Sequence, residues 1–222
     1  VPGVNNNIDK IKAGLYTGDM RKEVFRPALI KENEGFMTAG QAQNVCRAGS
    51  FRNKGLKYTG ALAVLVTIMG YNYLWENVRV KGGAYGCFSS FSRSGLSAFV
   101  SYRDPNLDKT VKVYEDAAEA VEKFDADERT MTKYVIGTFS GFDIPLTPSM
   151  KGLRSLNAYM AGTSYETVQR VRDEARNCTV SDIRKCAETV KAFMSDEKLV
   201  VVGSAAKIKE NKELFDKVEN LF

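Results

Sequence analysis

The stretch AYGCFSSFSRSGLSAFVSYRD, residues 84–104, decides how the rest of the chain is arranged. Apolar and aromatic residues recur at every second position on both sides of residues 92–95: Tyr85 and Cys87 before them, then Leu96, Ala98, Val100 and Tyr102. A period of two belongs to a strand, and Ser-Arg-Ser-Gly between two such runs is turn chemistry, so the stretch predicts a β-hairpin. Upstream, residues 58–78 are apolar on nearly all sides, with Leu62, Leu65, Val66, Met69, Tyr73 and Leu74 at helical spacing; this predicts a central helix packed under other elements. Residues 36–51 alternate loosely and close on Gly49-Ser50, which predicts a strand.

Downstream of the hairpin, Asp104-Pro105-Asn106 supplies a turn and capping groups, and Leu107, Val111, Tyr114, Ala118 and Val121 then step along one side of a helix reaching about Phe124. A second helix is expected over residues 127–141, before the proline-containing break DIPLTPS. Further helices are expected over 150–160, 164–177, 181–194 and, after the strand KLVVVGS, 207–221, with Ser164, Thr179 and Ser181 placed to cap. The leading segment, residues 1–34, mixes a turn-rich VPGVNNN with helical spacing broken by Gly14, Gly18 and Pro27, and receives no assignment. Strands first, helices next and a final strand make an α+β fold: an antiparallel-rich sheet with helices packed on one face, in one domain over residues 1–222.

The composition is that of a folded globular chain: 222 residues, 44% hydrophobic and 27% charged. The net charge of +5 is spread among acids, as in EDAAEAVEKFDADER and KIKENKELFDKVEN. Such segments read as solvated helix faces, so no nucleic-acid partner is expected. The longest apolar window, residues 61–75, is interrupted by Thr67, Gly70 and Asn72 and is shorter than the ~20 residues a membrane span needs, so no membrane partner is expected either. Cys46, Cys87, Cys178 and Cys186 fall at no metal-ligand spacing and there is no histidine to complete a mixed site. They read as free thiols in a reducing intracellular compartment, cytoplasm or organelle matrix. Residue 1 is valine, which fits a piece of a longer polypeptide.

Without histidine, the commonest general base, the commonest zinc ligand and every histidine-based triad are excluded from this chain. Glu115, Asp116 and Glu119 lie at spacings typical of an outward helix face. The stretch RVKGGAYG, residues 79–86, is unlike a phosphate loop, because its glycines lead into a strand and it lacks a Gly-Lys-Ser/Thr ending. Arg79 instead offers five donors with a permanent charge and Tyr85 a phenolic donor, suited to a carbonyl oxygen that is gaining negative charge. Gly82 and Gly83 remove side chains where another chain must come close, and they permit positive φ. All four are candidate peptide-binding residues. A structural reading competes on equal terms: Arg79 capping the end of the central helix, Tyr85 as an inward aromatic, and Gly-Gly as a plain turn.

YLWENVRVKGGAYGCFSSFSRSGLSAFVSYRDPNLDKTVKVYE, with EGFMTAGQAQNVCRAGSF upstream, resembles the last domain of the insulinase-like (pitrilysin) zinc metallopeptidases, in the presequence-protease and falcilysin branch. The resemblance runs from about Glu34 to the C-terminus. It implies a parent of four related α+β domains in two halves closing on a chamber, with zinc held by an inverted His-x-x-Glu-His motif in the first domain. The last domain of such a parent contributes an arginine and a tyrosine that hold the substrate backbone near the metal. On that resemblance, Arg79 and Tyr85 are catalytic residues acting in trans, with Gly82 and Gly83 beside them in the substrate site. Zinc is then the parent's cofactor and none is bound by this chain, which alone should be inactive. The implied partners are the N-terminal domains of the same polypeptide and unfolded peptide substrates, and the isolated domain should tend to form a homodimer. The alternative is a non-catalytic scaffold or interaction subunit of the same fold.

Overall fold

Six strands are laid down among the described residues of the chain: β1 (Glu34–Thr38), β2 (Gln43–Ser50), β3 (Gly86–Phe91), β4 (Leu96–Asp104), β5 (Lys198–Ser204) and β6 (Lys217–Asn220). They form one sheet in the order β3-β4-β2-β5-β1-β6. The computed structural model describes residues 4–15, 18, 32–195 and 198–221. Two units make up the chain, Val1–Ile30 and Lys31–Phe222. The first contains α1 (Val4–Ala13); the second contains the sheet together with α2 (Gly60–Tyr71), α3 (Asp108–Glu122), α4 (Glu128–Phe142), α5 (Pro148–Met160), α6 (Tyr165–Arg176), α7 (Val180–Met194) and α8 (Ala205–Glu210).

The hairpin forms where the alternation places it. Strands β3 and β4 pair antiparallel with Phe88 opposite Val100, and Gly95 turns the chain in the left-handed region at φ +96°. The apolar string Leu96, Ala98, Val100 and Tyr102, however, lies on the face away from the helices, where Leu96 is 61% exposed and Phe88 60%. The helix-facing side carries Cys87, Phe91 and Phe99, with the small Ser97 and Ser101 between them, all buried. Both faces hold apolar residues, so the period was legible while the choice of face was not.

Pairings β2–β4, β3–β4 and β2–β5 are antiparallel, whereas β1 runs parallel to both β5 and β6. The sheet is therefore antiparallel-rich but mixed. The expected strand over 36–51 is two strands, β1 and β2, separated by residues 39–42. The expected helix over 207–221 is also corrected: α8 ends at Glu210, a short 3₁₀ turn covers Lys212–Leu214, and β6 follows. Asn33 explains the change, because its carbonyl accepts from the N–H groups of Asp216 (2.9 Å) and Lys217 (3.2 Å), drawing the segment alongside β1. The expected long central helix is α2, continued after a short break by a π-helical turn, Trp75–Val80.

Helices α2, α3, α7 and α8 lie against the sheet on one side, and α4 and α6 pack on α2. This is why α2 is apolar nearly all round: Ala61, Leu62, Val64, Leu65, Ile68 and Met69 are all buried. The N-terminal N–H of α2 at Gly60 donates to Glu174 Oε2 of α6 at 2.7 Å, and a Cβ at Gly60 would stand 2.3 Å from the Val171 carbonyl oxygen, so only glycine lets the two helices meet. Ser164 caps α6 as expected. Thr179, and not Ser181, caps α7, in a reciprocal capping box with Asp182.

An aromatic cluster ties the hairpin to the helices. Phe99 of β4 sits 5.0 Å from Phe193 of α7 and 5.5 Å from Tyr114 of α3, ring centre to ring centre, and Phe91 of β3 is 5.7 Å from Phe193. Burying each ring stabilises the fold by roughly 1.5–3 kcal/mol. All four cysteines are free thiols. Burial raises every one of them, Cys178 and Cys186 to about 12.

Two outcomes are expected. Phe99→Ala removes the centre of the aromatic cluster and should lower unfolding free energy by about 3–5 kcal/mol in urea titration; a loss under about 1 kcal/mol would contradict this packing. A thiol whose pKa is raised stays protonated at pH 8, so a thiol reagent should modify Cys178 and Cys186 slowly in the native chain and quickly in denaturant. Equal rates in the two states would show that these thiols are not buried.

Candidate functional site

Arg79 sits on the π-helical turn, whose wider spacing shows in the Lys81 N–H donating to the Glu76 carbonyl at 2.9 Å, five residues back. Trp75 lies four residues earlier, and the Arg79 guanidinium carbon stands 4.4 Å from the Trp75 ring centre. One of its Nη groups donates to the carbonyl of Tyr85. It is 5.8 Å from the Tyr85 ring centre as well. Arg79 is thus half-buried and joined to Tyr85, and its bonded partner lies outside the central helix that the competing structural reading had it cap.

Tyr85 is 63% exposed, so it is not an inward aromatic. Its backbone is fixed on both sides: the N–H donates to the carbonyls of Tyr102 (3.1 Å) and Arg103 (3.3 Å), and the carbonyl accepts from Arg79. Tyr102 meets the Tyr85 ring edge-on at 5.9 Å. The glycines do two different things. Gly83 is left-handed at φ +81°, making the reversal from the π turn into β3. Gly82 has no such φ; a Cβ there would stand 2.4 Å from the Val78 carbonyl oxygen, so its bareness is required by its own chain, and its carbonyl accepts from Asn106 Nδ2 at 2.6 Å.

Three neighbours were not picked out as site residues in the sequence: Trp75, Tyr102 and Arg103. Trp75 could have been found from its i, i+4 spacing to Arg79. Arg103 depends on a β-bulge that no spacing announces. Gln43 pairs with Asp104 and Val45 with Ser101, so Tyr102 and Arg103 together oppose Asn44 alone. Arg103 has φ +48°, the single non-glycine with positive φ among the described residues. Its guanidinium carbon lies 5.9 Å from the Tyr85 ring centre and 5.5 Å from that of Tyr102. Asp104 behind it is fully buried, accepting from Thr110 Oγ1 (2.6 Å) and from the Asn106 N–H (2.9 Å), which locks the end of β4 to the start of α3.

The cluster brings two guanidiniums, those of Arg79 and Arg103, to the Tyr85 ring. Lys81 pairs with Glu76 at 3.5 Å, but among the described residues neither Arg79 nor Arg103 meets a carboxylate. Burial raises the Cys87 thiol, and the nearby Arg79 charge works against that rise. With no histidine in the chain, and no group of three or more Cys, Asp or Glu placed to hold a metal among the described residues, the residues present do not fit a zinc site. A cleft of about 1080 Å³ opens elsewhere, between the start of α2, α6 and α7, where Arg170 pairs with Glu174 and Lys185 with Asp182. None of Arg79, Tyr85 or Arg103 lines it, and the unpaired donors of the Arg79 cluster make that cluster the better candidate site.

Known proteins are similar to this chain in sequence and in fold. The model of a family described as PreP C-terminal domain matches residues 33–207. Protein HypA of Clostridium perfringens is 42% identical over 203 residues, 91% of this chain and 21% of that protein. Presequence protease 1 of Arabidopsis thaliana, chloroplastic/mitochondrial, is 34% identical over 196 residues, 88% of this chain and 18% of that protein. The chain thus spans about a fifth of the length of these relatives. Its fold is similar to that of a protease from Helicobacter pylori, with TM-score 0.61 and 15% identity over 90% of this chain and 52% of that one. It is similar also to the inactive domain of a peptidase M16 from Pseudomonas fluorescens, with TM-score 0.61 and 16% identity over 88% and 49%. Since the family model covers most of its length, this chain belongs to the PreP C-terminal domain family and is a C-terminal insulinase-like domain.

Proposed function

We propose that this domain is the substrate-contacting C-terminal part of a zinc-dependent oligopeptidase that degrades unfolded peptides in a closed chamber. The observation that carries the reading is the joining of Arg79 to Tyr85, with the guanidinium and an exposed phenol 5.8 Å apart at the end of a sheet, in a chain of this family. In this reading zinc belongs to the N-terminal half of the same polypeptide, where it supplies an activated water. The work of the present chain is done by donors. Arg79, stacked on Trp75 and bonded to the Tyr85 carbonyl, keeps further N–H groups for a substrate carbonyl, and the Tyr85 hydroxyl directs a second donor to the same oxygen as negative charge builds on it. Donors fixed before the substrate arrives need no reorganisation, which favours the transition state over the ground state.

Gly82 and Gly83 bring the main chain around so that Tyr85 follows Arg79 at close range, with Gly83 making the left-handed turn. The partners are the preceding domains and unfolded peptides, in an intracellular compartment. Separated from those domains, the chain exposes Phe88, Leu96 and Tyr102 on its open sheet face, and that apolar surface is where a homodimer would form. By itself the domain should not cleave peptides. A second reading, a scaffold of the same fold with no chemistry, is favoured by the likeness to domains described as inactive.

The full-length polypeptide separates the two readings. One zinc per chain by elemental analysis, together with peptide cleavage, is the outcome expected of the enzyme. Arg79→Gln or Tyr85→Phe should each lower kcat by about 10²- to 10³-fold, the loss typical of one transition-state donor worth ~3 kcal/mol, with zinc content unchanged. Wild-type turnover in both variants removes the donor role, and absence of both zinc and cleavage supports the scaffold.

A further inference from the structure

Arg103 has no part in the reading above, yet the chain departs from regular structure to present it. Along β4, Ser101 faces the helices and Tyr102 the open side. Strict alternation would turn Arg103 inward, where an unpaired cation costs several kcal/mol. The bulge opposite Asn44 and the left-handed backbone at φ +48° turn it outward onto Tyr85 and Tyr102 instead. That conformation costs a non-glycine residue about 1–2 kcal/mol, and its surroundings maintain it. The Arg103 N–H donates to Asn44 Oδ1 at 3.3 Å, its carbonyl accepts from the Tyr85 N–H at 3.3 Å, and the next residue is the buried Asp104. Glycine or asparagine would adopt this backbone at lower cost, so shape alone does not account for arginine.

The guanidinium that results is exposed, rests against two phenol rings and meets no carboxylate among the described residues. It shares the Tyr85 ring with Arg79, at 5.9 Å and 5.8 Å from the ring centre. Arg79 already has a bond to the Tyr85 carbonyl, whereas the planar fork of Arg103 is free to take both oxygens of a carboxylate. Residues of an extended peptide follow one another at ~3.3 Å, so a side chain or terminus adjacent to the held carbonyl falls within its reach. We propose that Arg103 is a specificity-determining residue, whose guanidinium binds a carboxylate of the bound peptide next to the carbonyl held by Arg79 and Tyr85. That carboxylate belongs to an acidic side chain or to the peptide's C-terminus, and the proposal rests on the peptide-binding reading of the site.

The test measures binding to the full-length polypeptide by fluorescence anisotropy, with a chelator present so that peptides stay intact. The probes are a labelled unfolded peptide with one glutamate, its glutamine twin, and each of these with a free or an amidated C-terminus. Wild type should bind one carboxylate-bearing member about tenfold more tightly than its neutral twin, the size expected for hydrogen bonds to a charged group. Arg103→Gln should bring that ratio close to one, and Arg103→Lys should keep part of it. Arg103→Asn, which tolerates the left-handed backbone, should lose the ratio with an unchanged melting temperature. A loss confined to the glutamate–glutamine pair assigns a side-chain carboxylate, and one confined to the acid–amide pair assigns the terminus. An unchanged ratio in Arg103→Gln, or no preference in wild type, overturns the proposal. Cleavage of the neutral, amidated peptide by Arg79→Gln reports separately: if it proceeds at the wild-type rate while the Arg103 ratio collapses, the donor role of Arg79 falls and the carboxylate site stands.

Discussion

Tyr85 is the residue at which the chain leaves a helical turn and enters an edge strand, and its two peptide groups are held from opposite directions. The N–H is bonded to the carbonyls of Tyr102 and Arg103 on β4, and the carbonyl is bonded to Arg79 on the π-helical turn. Edge strands ordinarily leave such groups to water or to another chain. Fixing them here fixes the root of the side chain, and the phenol ring is met by Tyr102 edge-on and by the guanidiniums of Arg79 and Arg103. The reversal that makes this geometry reachable occupies only residues 81–85. Gly82 lies against the Val78 carbonyl where no Cβ fits, and Gly83 takes the left-handed turn.

Each arginine reaches the same ring by a local departure from regular structure. Arg79 does so through π-helical spacing, which sets it over Trp75; Arg103 does so through a bulge that inserts one residue into β4. Such departures weaken the local ladder and persist because neighbouring bonds over-determine them, as Asp104 with Thr110 does at the end of β4. The core beneath them is conventional and rigid. Phe91, Phe99, Tyr114 and Phe193 lock the hairpin to α3 and α7, so the ends of β3 and β4 form a fixed platform. Two guanidiniums without acidic partners on that platform make a surface ready for oxygen ligands that the chain itself does not provide.

How much of this was legible in the sequence follows from which interactions are local. The hairpin, the caps at Ser164 and Thr179 and the helices after residue 105 rest on period and nearest neighbours, and they could be read directly. The parallel pairing of β1 with β5 and β6 is set by contacts far apart in sequence, and the helical-looking segment after Glu210 became β6 because the Asn33 carbonyl captures it. Arg79, Tyr85 and Gly83 were legible as a group, with Gly83 in the turn conformation it was expected to permit. Gly82 was expected to permit positive φ and the approach of another chain, but it has no positive φ and owes its bareness to the Val78 carbonyl. Trp75 was hidden in an apolar run, and Arg103 was hidden by the assumption that strands alternate without interruption.

The central claim is that Arg79 and Tyr85 converge on one oxygen of a bound peptide backbone. A crystal structure of the full-length polypeptide with an uncleavable peptide analogue tests it most directly. The account requires a main-chain carbonyl, or its tetrahedral mimic, within hydrogen-bonding distance of both the Arg79 guanidinium and the Tyr85 hydroxyl. A peptide seated elsewhere, with Arg79 still bonded only to the Tyr85 carbonyl and the phenol facing solvent, would contradict it.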